Sequence, residues 1–154
     1  MKKLILLLLL PALALADPQP WLKKENPNEL FAVSVATEHC PISIVDLDEL
    51  VNSVLVRSRI RKKSAWAENE LILSVEIGCT LVSDSRWTFR YDVYFPRFSK
   101  RESGDLLETT TIDGKHYGIG TNDEDGIRSA MRRFVEDAIT DYLKANFDLG
   151  EDEQ

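Results

Sequence analysis

Residues 70–95 read ELILSVEIGCTLVSDSRWTFRYDVYF, and this stretch decides the fold. Leu71, Leu73, Val75, Ile77, Cys79 and Leu81 recur at every second position, Ser83-Asp84-Ser85 interrupts, and Trp87, Phe89, Tyr91, Val93 and Phe95 resume the alternation. Period two means a strand with one buried face, and two such runs around a short polar break predict a hairpin. The opposite face carries Ile72, Ser74, Glu76, Arg90, Asp92 and Tyr94.

The rest of the chain supplies cover for the apolar face. Residues 30–39 alternate again, with Phe31, Val33 and Val35 expected inward and Ala32, Ser34 and Ala36 on the other side, until Pro41 ends pairing. A first helix follows, its stripe formed by Leu47, Leu50, Val51, Val54 and Leu55, with Asp46 expected as cap and Glu49 in the capping-box position. Arg57, Arg59, Arg61, Lys62 and Lys63 then crowd the far end, where cations meet the negative pole of the helix dipole. Trp66 sits in the next loop. After the hairpin, residues 97–104 read as a polar turn, 106–112 as β-prone, Asp113-Gly114 as a hairpin turn and 116–119 as a short returning strand. Thr121 and Glu124 are placed to cap a last helix, whose stripe runs Ile127, Ala130, Met131, Phe134, Val135, Ala138, Ile139, Tyr142 and Leu143.

Strands with one apolar face and two helices with one apolar stripe each predict an α+β fold. The expected form is a two-layer sandwich: a small mixed sheet in β-α-β-β-β-α order, with both helices on one face. The domain spans residues 30–149. Ahead of it, residues 17–29 hold Pro18, Pro20 and Pro27 and read as an extended arm, with Trp21-Leu22 expected to pack back on the body or to mark a contact surface. Residues 150–154 form an acidic tail.

Residues 1–16 have the form of an export signal: Lys2 and Lys3, the apolar run 4–10, and Ala14-Leu15-Ala16 as a cleavage site. The run is too short to span a bilayer. Asp17 stands where a lipoprotein signal needs Cys, so the expectation is a periplasmic protein without a lipid anchor. Cleavage takes Lys2 and Lys3 from the 19 Lys+Arg and nothing from the 26 Asp+Glu, which moves the formal charge from −7 to −9. Such a surface repels nucleic acid and anionic lipid and favours a cationic partner. Two cysteines in an oxidising compartment are most simply one disulfide, Cys40–Cys79. Their parities disagree, however: Cys79 lies on the apolar face and Cys40 does not, which asks for a bulge or for a cysteine beyond its strand's end.

No stretch carries a catalytic or cofactor signature. His39, Cys40, Cys79 and His116 lack the spacing of a zinc motif, and no metal site is assigned. Residues 121–132 miss a calcium loop at both ends, since Thr121 stands first and Arg132 stands where a bidentate Glu belongs. Gly118-x-Gly120 lacks the third glycine and the lysine of a phosphate loop and reads as a tight turn into the helix. Carboxylate pairs such as Asp84 with Asp92 or Glu76 read as surface in so acidic a chain. The expectation is therefore a non-enzymatic binding or accessory protein without cofactor, meeting another envelope protein through the open sheet face at Ile72, Arg90, Asp92 and Tyr94. The cluster Arg57, Arg61, Lys62 and Lys63 is a second docking candidate, and an unpaired edge strand a third. The alternative is an inhibitor or immunity protein that blocks a cationic hydrolase or toxin.

The order of elements over most of the mature chain is similar to small periplasmic accessory proteins of outer-membrane assembly or envelope transport, in which two helices back a small sheet. That resemblance implies a role in contacts between envelope proteins. Many such proteins are lipid-anchored, and Asp17 departs from that pattern.

Overall fold

The computed structural model describes residues 20–37, 39–83, 86–100, 103, 106–110, 115–121 and 124–147. The leader, the acidic tail, Asp84, Asp113-Gly114 and the loop just ahead of the last helix lie outside these residues. Ten elements follow in order: a 3-10 turn at Pro20–Leu22, β1 (Glu29–Ala36), α1 (Ile44–Arg57), β2 (Arg61–Lys62), β3 (Ile72–Ser83), β4 (Arg86–Tyr94), β5 (Arg97–Lys100), β6 (Leu106–Thr110), β7 (Lys115–Thr121) and α2 (Glu124–Asn146). The fold is α+β, as the patterning predicts.

A five-stranded mixed sheet runs β2-β1-β3-β4-β7, and β5 with β6 makes a separate two-stranded ribbon. β1 pairs parallel with β3, whereas β3-β4 and β4-β7 are antiparallel. Buried residues of α1 and α2 join Leu73, Val75, Ile77, Phe89, Tyr91 and Val93 in one core, so both helices cover the same side of the sheet. Tyr91 packs on Phe134 at 5.6 Å between ring centroids and Phe95 stacks on Tyr142 at 5.8 Å, which seats α2 over β4. The α2 stripe is buried as its period predicts: Ile127, Met131, Val135, Ile139 and Tyr142 lie in the core, with Ala130, Phe134, Ala138 and Leu143 packed against it.

β1 presents the opposite face from the one expected. Leu30 and Ala32 are buried in the core and Val35 is exposed. The register explains the inversion: Ala32 lies beside Leu73, Ser34 beside Val75 and Ala36 beside Ile77, so small residues on β1 sit next to large ones on β3 and leave room for α1 above. Cys40 lies past the end of β1, which closes at Ala36: its N–H donates to Thr37 O (3.0 Å) in a turn, so strand parity does not bind it and it meets Cys79, as the second of the two arrangements requires. They form a disulfide with Cα atoms 5.1 Å apart. Thr37 secures the junction, donating its amide to Ile77 O (3.1 Å) and accepting at Oγ1 from Cys79 N–H (3.1 Å).

Other local readings change as well. Ser43, not Asp46, caps α1, accepting at Oγ from Asp46 N–H (3.1 Å). Thr121 is the last residue of β7, opposite Arg86, and α2 begins at Glu124, so Thr121 is not its cap. Arg97–Lys100 is a strand rather than a turn. β6 pairs with β5 and β7 with β4, so the segments on either side of Asp113-Gly114 belong to different sheets and not to one hairpin. Gly118 and Gly120 lie inside β7 opposite Phe89 and Trp87, rather than in a turn that leads the chain into the helix.

The arm is built into the body. Leu22 is buried, while Trp21 stays exposed. Asn146 accepts from Lys24 N–H (2.7 Å) and donates to Leu22 O (2.8 Å), Arg97 donates to Trp21 O and Lys23 O, and the Tyr142 hydroxyl donates to Pro27 O (2.9 Å).

Candidate functional site

The second sheet face places Ile72, Arg90, Asp92 and Tyr94 together, as the alternation requires, but leaves only part of it accessible. Ile72, Ser74 and Asp92 are buried, Tyr94 and Glu76 are partly covered, and Arg90 is exposed. Glu76 and Asp92 are direct cross-strand neighbours, a like-charge pairing that costs stability unless neighbouring groups compensate it. They do so: Glu76 Oε1 accepts from Tyr94 (2.5 Å) and Ser74 (3.2 Å), and Asp92 Oδ2 pairs with Arg90 Nε (2.7 Å). Asp92 Oδ1 is buried without a hydrogen-bond partner among the described residues, and Lys115 stands opposite Asp92 in the β4-β7 register. The expectation of a fully open face is therefore corrected: Ile72 and Asp92 are interior, and Arg90 is the accessible member of the set.

The basic run is divided as well. α1 ends at Arg57, Arg59 takes the left-handed conformation (φ 58°), Ile60 is buried, and Arg61 and Lys62 belong to β2. Arg57 pairs with Glu136 on α2 (2.7 Å), Arg61 with Glu29, Lys62 with Asp48 (2.5 Å) and Lys63 with Glu70 (2.7 Å). What reads as one positive patch in sequence is four separate intramolecular pairs in space.

Glu70 gathers a largely buried charge cluster. Its side chain and that of Lys24 are each 9% exposed, and its oxygens accept from Lys24, from Lys63 and from Ala67 N–H. Burial pushes the Glu70 carboxyl up, but the two ammonium groups outweigh it and hold it below its usual range. Beside it, burial and then the charge of Glu70 push the Tyr142 phenol up, partly offset by Arg97. This cluster holds the arm, β2 and the loop before β3 together. Its geometry is structural.

Neither cysteine is available as a metal ligand, because both are in the disulfide, and His39 is exposed. Among the described residues no three His, Cys, Asp or Glu side chains are grouped to hold a metal ion, and no helix is long and apolar enough to cross a membrane.

The surface the sequence reading missed is the end of the sheet beyond the helices. Both β1 and β3 run toward it, the disulfide ties them there, and α1 begins four residues after Cys40. Asp46 and Glu124, in the first turns of α1 and α2, both pair with Arg128 (3.4 and 2.8 Å), so the two helices start side by side at this end. Ile44, Val45, Leu81 and Val82 are each more than half exposed here. Leu81 has the parity of a core residue, but the hairpin outruns its helical cover, and the register shifts between Leu81 and Ser83. Two signals for this end were present: Leu81-Val82 breaks strict alternation, and Val45 falls off the α1 stripe.

No family model matches the chain, and no curated protein matches it. The solved structures similar to it include two lipoproteins. Rare lipoprotein B from Shewanella oneidensis is 12% identical with a TM-score of 0.34, covering 76% of this chain and 92% of that one. A minor lipoprotein from Acinetobacter baumannii is 12% identical with a TM-score of 0.35, covering 77% of this chain and 90% of that one. Likeness at that level transfers no residue and no activity, and the reading of this chain stands on its own residues.

Proposed function

We propose that the protein is a non-enzymatic accessory protein of the periplasm that works by contact with another envelope protein through the disulfide-braced end of its sheet. One observation carries the reading: Ile44, Val45, Leu81 and Val82, four apolar side chains each more than half exposed, project at the end where the disulfide joins β1 to β3. Exposed apolar groups collected at one place mark contact surfaces, and a rigid support lowers the ordering cost of binding. The disulfide agrees with an oxidising compartment. The net charge favours a partner whose contact surface is apolar at its centre and basic at its rim.

Photo-crosslinking in envelope extract tests the reading. A photoreactive residue replacing Val82 should give one discrete adduct that Val45→Asp suppresses. The same residue replacing Val56, an exposed position near the opposite end of α1, should not give it. An absent adduct, or an equal adduct from both positions, defeats the proposal. An adduct with a single cationic hydrolase whose activity is abolished one-for-one would instead identify an inhibitor.

A further inference from the structure

β1 is flanked on its outer side by β2, but the two pair only at Glu29 and Leu30. Alongside residues 31–36 no strand lies on that side among the described residues. The hydrogen bonds fix which groups face out. Thr37 N–H donates inward to Ile77 O, and Leu30 O accepts from Lys63 N–H on the outer side. With period two, Ala32, Ser34 and Ala36 therefore direct their amides and carbonyls to the outer edge. Among the described residues none of the three finds a main-chain partner there.

The sequence at this edge carries none of the usual protections. Residues 30–36 read LFAVSVA, without charge or proline in a chain that is 29% charged, and Val35 is 42% exposed. Edge strands are ordinarily blunted by a lysine, a proline or a bulge, because an uncharged edge templates a further strand. Here the lane is roofed as well. Asp48 of α1 accepts from Ser34 Oγ (3.1 Å) and pairs with Lys62 of β2, so the helix reaches from β1 across the lane that β2 begins and then leaves.

We infer that the outer edge of β1 receives one uncharged extended segment of a partner protein, which runs beside residues 31–36 and continues the sheet where β2 stops. Its main chain pairs with Ser34 and Ala36, since Ala32 is buried. Its side chains facing α1 must be small to fit beneath the helix, and those on the other face are apolar, lying along Phe31, Val33 and Val35. A second copy of this chain is the competing occupant: antiparallel pairing of two β1 edges keeps both helical layers on one side and brings two α1 helices over the same lane, which a single extended segment avoids. This inference is independent of the apolar end, so failed crosslinking at Val82 leaves it standing.

Amide exchange of the full chain tests it, with a lysine-flanked peptide of alternating valine and serine as the probe. Saturating peptide should slow exchange at Ser34 and Ala36 by about tenfold or more, and Val35→Lys should weaken the peptide by about tenfold with the melting temperature unchanged. The same peptide N-methylated at alternate residues, which removes the donors from one of its edges, should not bind. The inference is overturned if these amides exchange slowly without peptide, if protection appears on β7 instead, or if it appears with a concentration-dependent dimer and no peptide.

Discussion

Replacing both cysteines by alanine tests how much of the fold depends on the bridge between β1 and β3. The bridge closes a loop with a sequence separation of 39. In the chain-entropy model a loop of that size restricts the unfolded chain by about 13 cal/mol/K, or about 4 kcal/mol at 25 °C. For a folded body of this length the unfolding entropy is about 0.25 kcal/mol/K near the midpoint, so the melting temperature should fall by about 12 to 16 °C. The six-residue parallel ladder between β1 and β3 remains in the variant, so the native state loses little and the unfolded state gains freedom. The urea m-value should therefore rise as stability falls, because the uncrosslinked chain exposes more surface. Circular dichroism of the oxidised protein, the reduced protein and the Cys40→Ala/Cys79→Ala variant makes the comparison, and the last two should agree. A loss below about 1 kcal/mol, with m unchanged, would mean that the unfolded chain already keeps β1 and β3 together, and the entropic argument would fail.

Two further substitutions probe single groups. Glu70→Gln removes the negative charge shared by Lys24 and Lys63, leaving two ammonium groups without a counter-ion, and should cost about 3 kcal/mol or more at pH 7 in urea titrations. Because the folded Glu70 carboxyl lies below its unfolded value, its contribution is complete above about pH 4.3 and is lost as pH falls through the lower folded value. The variant should flatten the acid limb of the stability curve, and an unchanged limb would remove Glu70 from the account. Arg59→Gly acts at a helix end: Ile60 N–H donates to Leu55 O, Arg59 N–H to Val56 O, Ile60 is buried, and Arg59 occupies the left-handed position that glycine prefers. Glycine there should raise stability by about 0.5 to 1 kcal/mol, and a destabilised variant would show that the Arg59 side chain contributes more than its backbone costs.

The parts legible in sequence are those where one periodicity decides the outcome. α2 has polar residues at every position outside its stripe except Gly126 and Ala145, so a single face can be buried, and β3-β4 pairs as its alternation requires. β1 was readable as a strand but not as to its face, because Phe31, Val33 and Val35 compete with Leu30, Ala32 and Ala36 and both sets are apolar. Size favours the first set, yet the neighbouring strand reverses the choice: Leu73, Val75 and Ile77 fill the layer beneath α1, and only small residues fit beside them. The strand at Arg97–Lys100 was hidden because its charged ends obscure Phe98, which packs edge-to-face on Trp66 at 6.5 Å. The basic run reads as one patch because density along the chain says nothing about partners across it. Glu136, which pairs with Arg57, lies 79 residues away. The same limit explains why the middle of the second face is less open than its alternation suggests. Cross-strand neighbours absorb the polar residues of that face, whereas groups at a sheet's end or edge lack a neighbour on one side, and a partner can supply it.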